Sequence, residues 1–218
     1  MHNSIYILFT GFLLLASCKK NNPSKSRFGS VTINGRAYQT VVIGAQTWTT
    51  ENYDGPGGIA SPRDDEATLG KYYLFAELSA ITLPSSWRIP TQTDFVNLLK
   101  LQGAITLEYY GGITLDPPAV VHLRANTTNW KVPGDNQSGF NALPAGNYNS
   151  YLHNFPNLNA YATFWSSTPG TNTLQPPSEC ILVISGYDTP SEIVQDAVVD
   201  PSTSVLSQGY SLRFVKDN

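Results

Sequence analysis

The sequence predicts an α+β domain of small mixed and antiparallel sheets, two short helices and a long irregular loop region. Three observations carry that prediction. An Asn-Gly pair separates two β-rich runs near the start. A capped apolar stripe lies between Thr91 and Gly103. A middle stretch, 105–159, is dense in Gly, Pro and Asn and has little periodicity.

The elements follow in order. Val31-Thr32-Ile33 and Arg36 to Ile43 flank Asn34-Gly35. A two-residue turn of this kind needs positive φ at both positions, so the pair predicts a hairpin. Gly44-Ala45 then marks a second turn before Gln46-Thr47-Trp48-Thr49. Residues 54–69, rich in Gly, Pro and acid, read as loop. Tyr72, Phe75, Ala76, Ser79 and Ala80 recur at helical spacing and predict a helix over 70–80. A second helix starts at Thr91, whose hydroxyl can cap it. Asp94 sits near the positive end of its dipole, Phe95, Leu98 and Leu99 form its apolar face, and Gly103 stops it. Leu83 to Pro90 is a connector stiffened by two prolines and Trp87. The middle stretch is too long for a plain connection inside a compact domain, so it is a functional loop region or contains short strands. Strands are expected at 160–166, 180–185, 192–199 and 210–216.

The N-terminus carries an address rather than a fold. Ile5 to Leu15 is almost wholly apolar. As a helix this run is ~16 Å long, short of the ~30 Å needed to cross a bilayer core. It ends in Leu15-Ala16-Ser17-Cys18. A short apolar region closed by small residues reads as a signal peptide, and a cysteine directly after it resembles the lipobox of bacterial lipoproteins. That resemblance implies a signal peptide over 1–17 and a lipidated (palmitate-type) Cys18; the polar, basic composition after it reads as a tether over 18–30, and the remaining length, with no second linker, as a single domain over 31–218. Attachment would be by acyl chains on Cys18 rather than by a span. The basic residue usual before the apolar run is missing.

Composition narrows the function classes. Charged residues make up 13% of the chain and the net charge is −3, with a pI of about 5.5. Such a surface has no electrostatic footprint for nucleic acid. With Cys18 given to lipid, Cys180 stands alone, so no intramolecular disulfide is expected. Cys180 lies in an apolar run and reads as a small buried hydrophobe. His122 and His153 have no partner at zinc spacing. Calcium is the one metal the loops offer oxygen ligands for, at Asp64-Asp65-Glu66 and at Asp135-Asn136, although neither cluster has the EF-hand pattern and solvated acidic loops explain both. No nucleophile elbow, P-loop, dinucleotide fingerprint or zincin motif occurs. No catalytic residue is therefore nominated and the chain does not read as an enzyme. For ligand binding, Tyr109, Tyr110, Trp130, Tyr148 and Tyr151 stand out in the middle stretch. Aromatic rings stack on the apolar faces of sugars while Asn and Asp bond the hydroxyls. The competing reading is that these rings pack loops onto the core. Trp48, Trp87 and Trp165 read as core.

Six ordered blocks then resemble a known family. They are 36–52 (Arg36 to Asn52), Gly70-Lys71-Tyr72-Tyr73, Pro84 to Thr91, Ser138 to Gly146, Phe164 to Thr168, and Ser211 to Asp217. Together they resemble the Fibrobacter succinogenes major paralogous domain, found mostly in exported proteins and lipoproteins of Bacteroidetes-type bacteria. The resemblance implies a C-type lectin-like fold, similar also to formylglycine-generating enzymes, in which N- and C-terminal strands pair and a long loop region carries ligand contacts. The cysteine pair of those enzymes is not present. Relatives often carry cysteines at positions that are Leu83 and Phe214 here, so these two residues are expected to touch. The expected function is a lipid-anchored envelope protein, in the outer membrane by the resemblance, that binds a glycan or another surface component without catalysis. Its partners would be the membrane through Cys18 and a glycan or surface protein. Lys19-Lys20-Asn21-Asn22 leaves the leaflet open. A structural or adhesive envelope subunit and an enzyme of unknown class are the alternatives.

Overall fold

A computed structural model describes residues 26–61, 69–103, 106–109, 112–115, 120–170, 179–187, 191–194 and 208–218. Cys18, Asp64, Asp65, Glu66 and Tyr110 lie outside them, as do the side chains of Tyr109 and Cys180. Among the described residues the fold is mostly sheet with few helices, and no helix is long and apolar enough to cross a membrane.

The first sheet forms where turn chemistry demands it. β1 (Phe28–Ile33) and β2 (Arg36–Ile43) pair in the register Ile33↔Arg36. Between them Asn34 and Gly35 have φ of 47° and 82°, the two left-handed positions the turn requires. Gly44, also at positive φ, leads into β3 (Gln46–Thr49). On the far side of β3 lies β13 (Val215–Asp217), in the register Val215↔Trp48. The two ends of the domain therefore pair, as the resemblance implied.

Next come β4 (Ile59–Ala60) and β5 (Lys71–Leu74), which continues into a 3₁₀ helix over Phe75–Ala80. The first half of the expected 70–80 helix is thus a strand. Tyr72 and Tyr73 are both buried, on opposite faces, because β5 lies between two core clusters and is paired on both edges. A helix would send neighbouring residues only 100° apart and could not serve both. Glu77 fixes the switch: its carboxylate accepts from the Leu74 and Gly58 amides, both at 2.8 Å.

Helix α1 (Gln92–Lys100) matches its sequence signals. Thr91 caps it, accepting from the Asp94 amide at 3.2 Å, while Asp94 accepts from the Thr91 amide at 2.7 Å. Phe95, Leu98 and Leu99 are at most 1% exposed. Each contributes about 1.5–3 kcal/mol by leaving water. They pack against Trp48, Phe140, Phe164 and Leu182 in the largest core cluster.

The remaining strands complete two sheets. β6 (Thr106–Tyr109), β7 (Gly112–Leu115), β9 (Tyr161–Pro169), β10 (Glu179–Ser185) and β11 (Ser191–Val194) form an antiparallel sheet in the order β6-β7-β11-β10-β9. β8 (Tyr148–Asn149) and β12 (Gln208–Tyr210) join β4 and β5 in the order β4-β5-β12-β8. Among its described residues the middle stretch thus contains three short strands, β6, β7 and β8. The single strand expected over 210–216 is split, because the chain leaves β12, crosses past β9 at Ser211 and reaches the first sheet only at Val215. Leu83 packs against the cluster that buries Phe214, and Arg88 bridges to Val215.

Candidate functional site

The seam between the second and third sheets opens a cleft. Ser211 stitches the sheets together: its amide donates to the Thr163 carbonyl at 3.1 Å and its carbonyl accepts from the Trp165 amide at 3.2 Å. Beside this stitch lies a cavity of about 450 Å³. Strand alternation decides what faces it. On β9, Ala162 and Phe164 enter the main core while Tyr161 and Thr163 line the cleft. On β10, Leu182 and Ile184 enter the core while Ile181 and Val183 line the cleft. β12 adds Gln208 and Tyr210, and β8 adds Asn149.

Turns supply the rest of the wall. Gly146 has φ of 64°, and a Cβ there would stand 2.5 Å from the Pro156 carbonyl oxygen. Only glycine allows the two segments to lie this close. The Asn147 amide then donates to Pro156 at 3.2 Å, and the Asn159 amide to Pro144 at 2.9 Å. Asn157 sits at φ 65°, a conformation asparagine tolerates. Its carbonyl accepts from the Ala160 and Tyr161 amides, both at 3.0 Å, which turns the chain into β9. As a result Asn147 and Asn157 both border the cleft.

The cleft's polar groups form a chain of amides. Asn157 Nδ2 donates to Asn147 Oδ1 at 3.0 Å, and Asn147 Nδ2 donates to Gln208 Oε1 at 2.8 Å. Asn147 and Gln208 are only 8% and 4% exposed, whereas Asn157 is exposed at the mouth. Asn149 Oδ1 accepts from the Tyr151 and Leu152 amides, both at 3.0 Å, so the neighbouring turn hangs on a cleft residue. Among the described residues the lining holds no Asp, Glu, Lys, Arg or His. Its buried phenol, Tyr210, is pushed up to about 12 by desolvation and stays neutral. The arrangement offers hydrogen bonds and apolar surface, with no charge.

The residues nominated from sequence are scattered. Trp130 is 2% exposed and its indole N–H donates to the Ala142 carbonyl at 3.0 Å. Tyr148 is 8% exposed, packed against Phe155, with its hydroxyl 3.0 Å from His153 Nδ1. Neither is a free stacking platform: the stretch around them folds back onto α1 and β5, and the rings fill the resulting clusters. Among the described side chains of the five, Tyr151 is exposed, at 72%, on the turn held by Asn149. Of the calcium candidates, Asp135 is engaged by the Gln137 amide at 2.9 Å and by His122 at 2.8 Å. Burial works to raise its carboxyl, and these bonds hold it below the usual carboxylate value. No group of three His, Cys, Asp or Glu that could share a metal exists among the described residues. Sequence reading missed Gln208, Tyr210, Tyr161 and Thr163, which lie outside the middle stretch. A signal was present for the others: five asparagines fall between 147 and 159.

The family-like blocks converge elsewhere. Arg213 is fully buried, and all three of its guanidinium nitrogens donate. Nε reaches Asn52 Oδ1 at 2.7 Å. Nη1 reaches the carbonyls of Thr49 and Phe140, and Nη2 that of Asn141, each at 2.9 Å. Its guanidinium also stands 5.0 Å over the Phe140 ring and 5.5 Å over Phe164. Burial lowers Arg213 to about 9, so it remains a cation at neutral pH. One side chain thus ties together four of the six blocks. None of the cleft-lining residues lies inside any block.

A family model described as the Fibrobacter succinogenes major domain matches residues 41–216. No curated protein and no solved structure matches the chain significantly. The matched span holds the Arg213 network, α1 and the cleft within one stretch. The chain belongs to the Fibrobacter succinogenes major domain family.

Proposed function

We propose that this chain is a lipid-anchored cell-envelope protein whose domain, C-type lectin-like in its architecture, binds a glycan or another surface ligand without catalysis. The uncharged, amide-lined cleft is the observation that carries the reading. Amides and hydroxyls matched to apolar strand residues suit a polyhydroxylated ligand, and exposed Tyr151 stands on a turn tied to the cleft through Asn149. Among the described residues the lining offers no nucleophile with an adjacent base and no paired carboxylates, which supports binding over the enzyme alternative. The anchor rests on the Leu15-to-Cys18 motif and its basic tether. The outer membrane is its proposed site.

A glycan array probed with full-length protein in mild detergent, with and without calcium, tests the binding. Signal on a defined set of glycans that Asn147→Ala abolishes is expected, and a blank array overturns it. For the anchor, Cys18→Ala is expected to move the protein from membranes to the soluble fraction. Unchanged detergent partitioning overturns lipidation.

A further inference from the structure

Resting on the lipid anchor proposed above, we infer that the outer face of the first sheet is the membrane-facing side of the domain, and that its groove takes the headgroup of an anionic phospholipid in the membrane that holds Cys18. Strand alternation builds the face. Directly opposed residues in antiparallel strands share a side. Val41, Trp48 and Val215 stand opposite one another and enter the main core. One step along, Gly29 stands opposite Thr40, Val42 opposite Thr47, and Thr47 opposite Lys216, so these five share the other face. They line a groove of about 660 Å³.

Each side of the groove pairs a cation with an aromatic ring. On one side stands Trp87. Backbone bonds between Arg88 and Val215, at 2.9 and 3.0 Å, hold its connector to the sheet edge, and Lys216 Nζ lies 5.6 Å over its ring. On the other side the Arg27 guanidinium stands 4.9 Å over the ring of Phe28, which is 56% exposed. Such pairs suit the headgroup layer, where basic groups meet phosphate and aromatic rings reach the acyl boundary. Asp217 also borders the groove, but Arg88 engages it at 3.2 Å and Gln46 at 2.9 Å. Arg27 and Lys216 form no ion pair among the described residues, so their charge is left for a phosphate. The chain itself brings the lipid here. Ser26 borders the groove and follows Cys18 by eight residues. Even fully extended, that length keeps the groove within ~29 Å of the lipidated residue. Lys19, Lys20 and Lys25 add positive charge along the way. A linker this short gives the surface an effective concentration on the order of mM, so a weak headgroup site suffices.

Full-length protein purified from membranes and reconstituted into vesicles tests this. The vesicles contain phosphatidylglycerol, phosphatidylcholine and a lipid with a nitroxide on its headgroup, and tryptophan fluorescence reads the contact. Trp48, Trp130 and Trp165 are at most 2% exposed, whereas Trp87 is partly exposed beside the groove. Wild-type emission should be quenched, and Trp87→Tyr should lose that quenching. Lys216→Glu should cut it by about fivefold, the effect of one cation at an anionic surface. Lys216→Gln serves if the glutamate variant fails to fold. Vesicles of phosphatidylcholine and the nitroxide lipid alone should quench as weakly as Lys216→Glu. Flotation of the protein with unquenched wild-type emission, quenching that survives Trp87→Tyr or the Lys216 variants, or equal quenching without phosphatidylglycerol overturns the docking and leaves the anchor intact. Failure of the protein to float with vesicles overturns the anchor and the docking with it.

Discussion

Two polar networks in this domain differ in closure. Around Arg213, every guanidinium nitrogen has a protein acceptor, and those acceptors come from two separate segments, at Thr49 and Asn52 and at Phe140 and Asn141. Around Asn147, the middle amide is bonded on both sides, while Asn157 Oδ1 and Gln208 Nε2 have no partner among the described residues. A closed network uses up its hydrogen-bonding capacity on the fold; an open one retains capacity for something that arrives later. The closed network is built from the family-like blocks and the open one from residues between them. The residues of the family-like blocks here maintain the frame, and the cleft is lined by residues outside them.

The largest expected effect comes from breaking the closed network. Arg213→Met leaves the Asn52, Thr49, Phe140 and Asn141 oxygens unpaired in the core and should cost about 3–5 kcal/mol. Urea unfolding followed by Trp fluorescence measures it, and a loss under 1 kcal/mol would equate the two networks.

A smaller loss is expected at the second closed site. Burial works to raise the Asp94 carboxyl, but hydrogen bonds from Arg88, Thr91 and Gln46 outweigh it and bring it down to about 2. Its folded value lies below its unfolded value of 3.8, so the stabilisation is present above pH ~4 and is lost as pH falls toward ~2. Asp94→Asn should therefore cost about 2 kcal/mol at pH 7 and close to nothing at pH 2. Stability measured by urea midpoint across that range checks it; a gap that persists at pH 2 would assign the loss to something other than ionisation.

The open network should reverse the balance between fold and function. Asn147→Ala frees the other two amides to meet water in the cleft, so stability should fall by about 1 kcal/mol while glycan binding disappears. Differential scanning fluorimetry beside the array separates the two readouts. Smallest of all, Tyr151→Ala should leave stability within about 0.5 kcal/mol, as exposed sites do. It should weaken binding by about three- to tenfold if the ring stacks on the ligand. Titration with an array-positive glycan decides this.

These two regions also differ in how far they could be read from sequence. Local chemistry was legible: Asn34-Gly35 specifies its own turn, and Thr91 with Asp94 specifies its own helix start, because the interacting atoms lie within three residues of each other. Tyr72 misled because a strand buried on both faces places apolar residues in succession, which overlaps with helical spacing. Trp130 misled because aromatic residues in a Gly- and Asn-rich stretch look exposed until the stretch is known to fold back on α1. The cleft could not be assembled from sequence at all. Gln208 and Asn147 meet across 61 positions, and only the run of asparagines hinted at one wall.

The pairing of β13 with β3 also governs when this molecule can come into being. Thr47 and Asn218 are hydrogen-bonded across 171 positions, and the Asn218 amide closes on the Ala45 carbonyl at 3.0 Å. The first hairpin to be synthesised cannot finish its sheet until residues 215–217 have emerged. Arg213, which the core needs, arrives almost as late. Such long-range closure delays the folding nucleus and slows folding. A nascent chain of this kind stays threadable until β13 is made, and one lacking residues 215–218 would lose its seam rather than a tail.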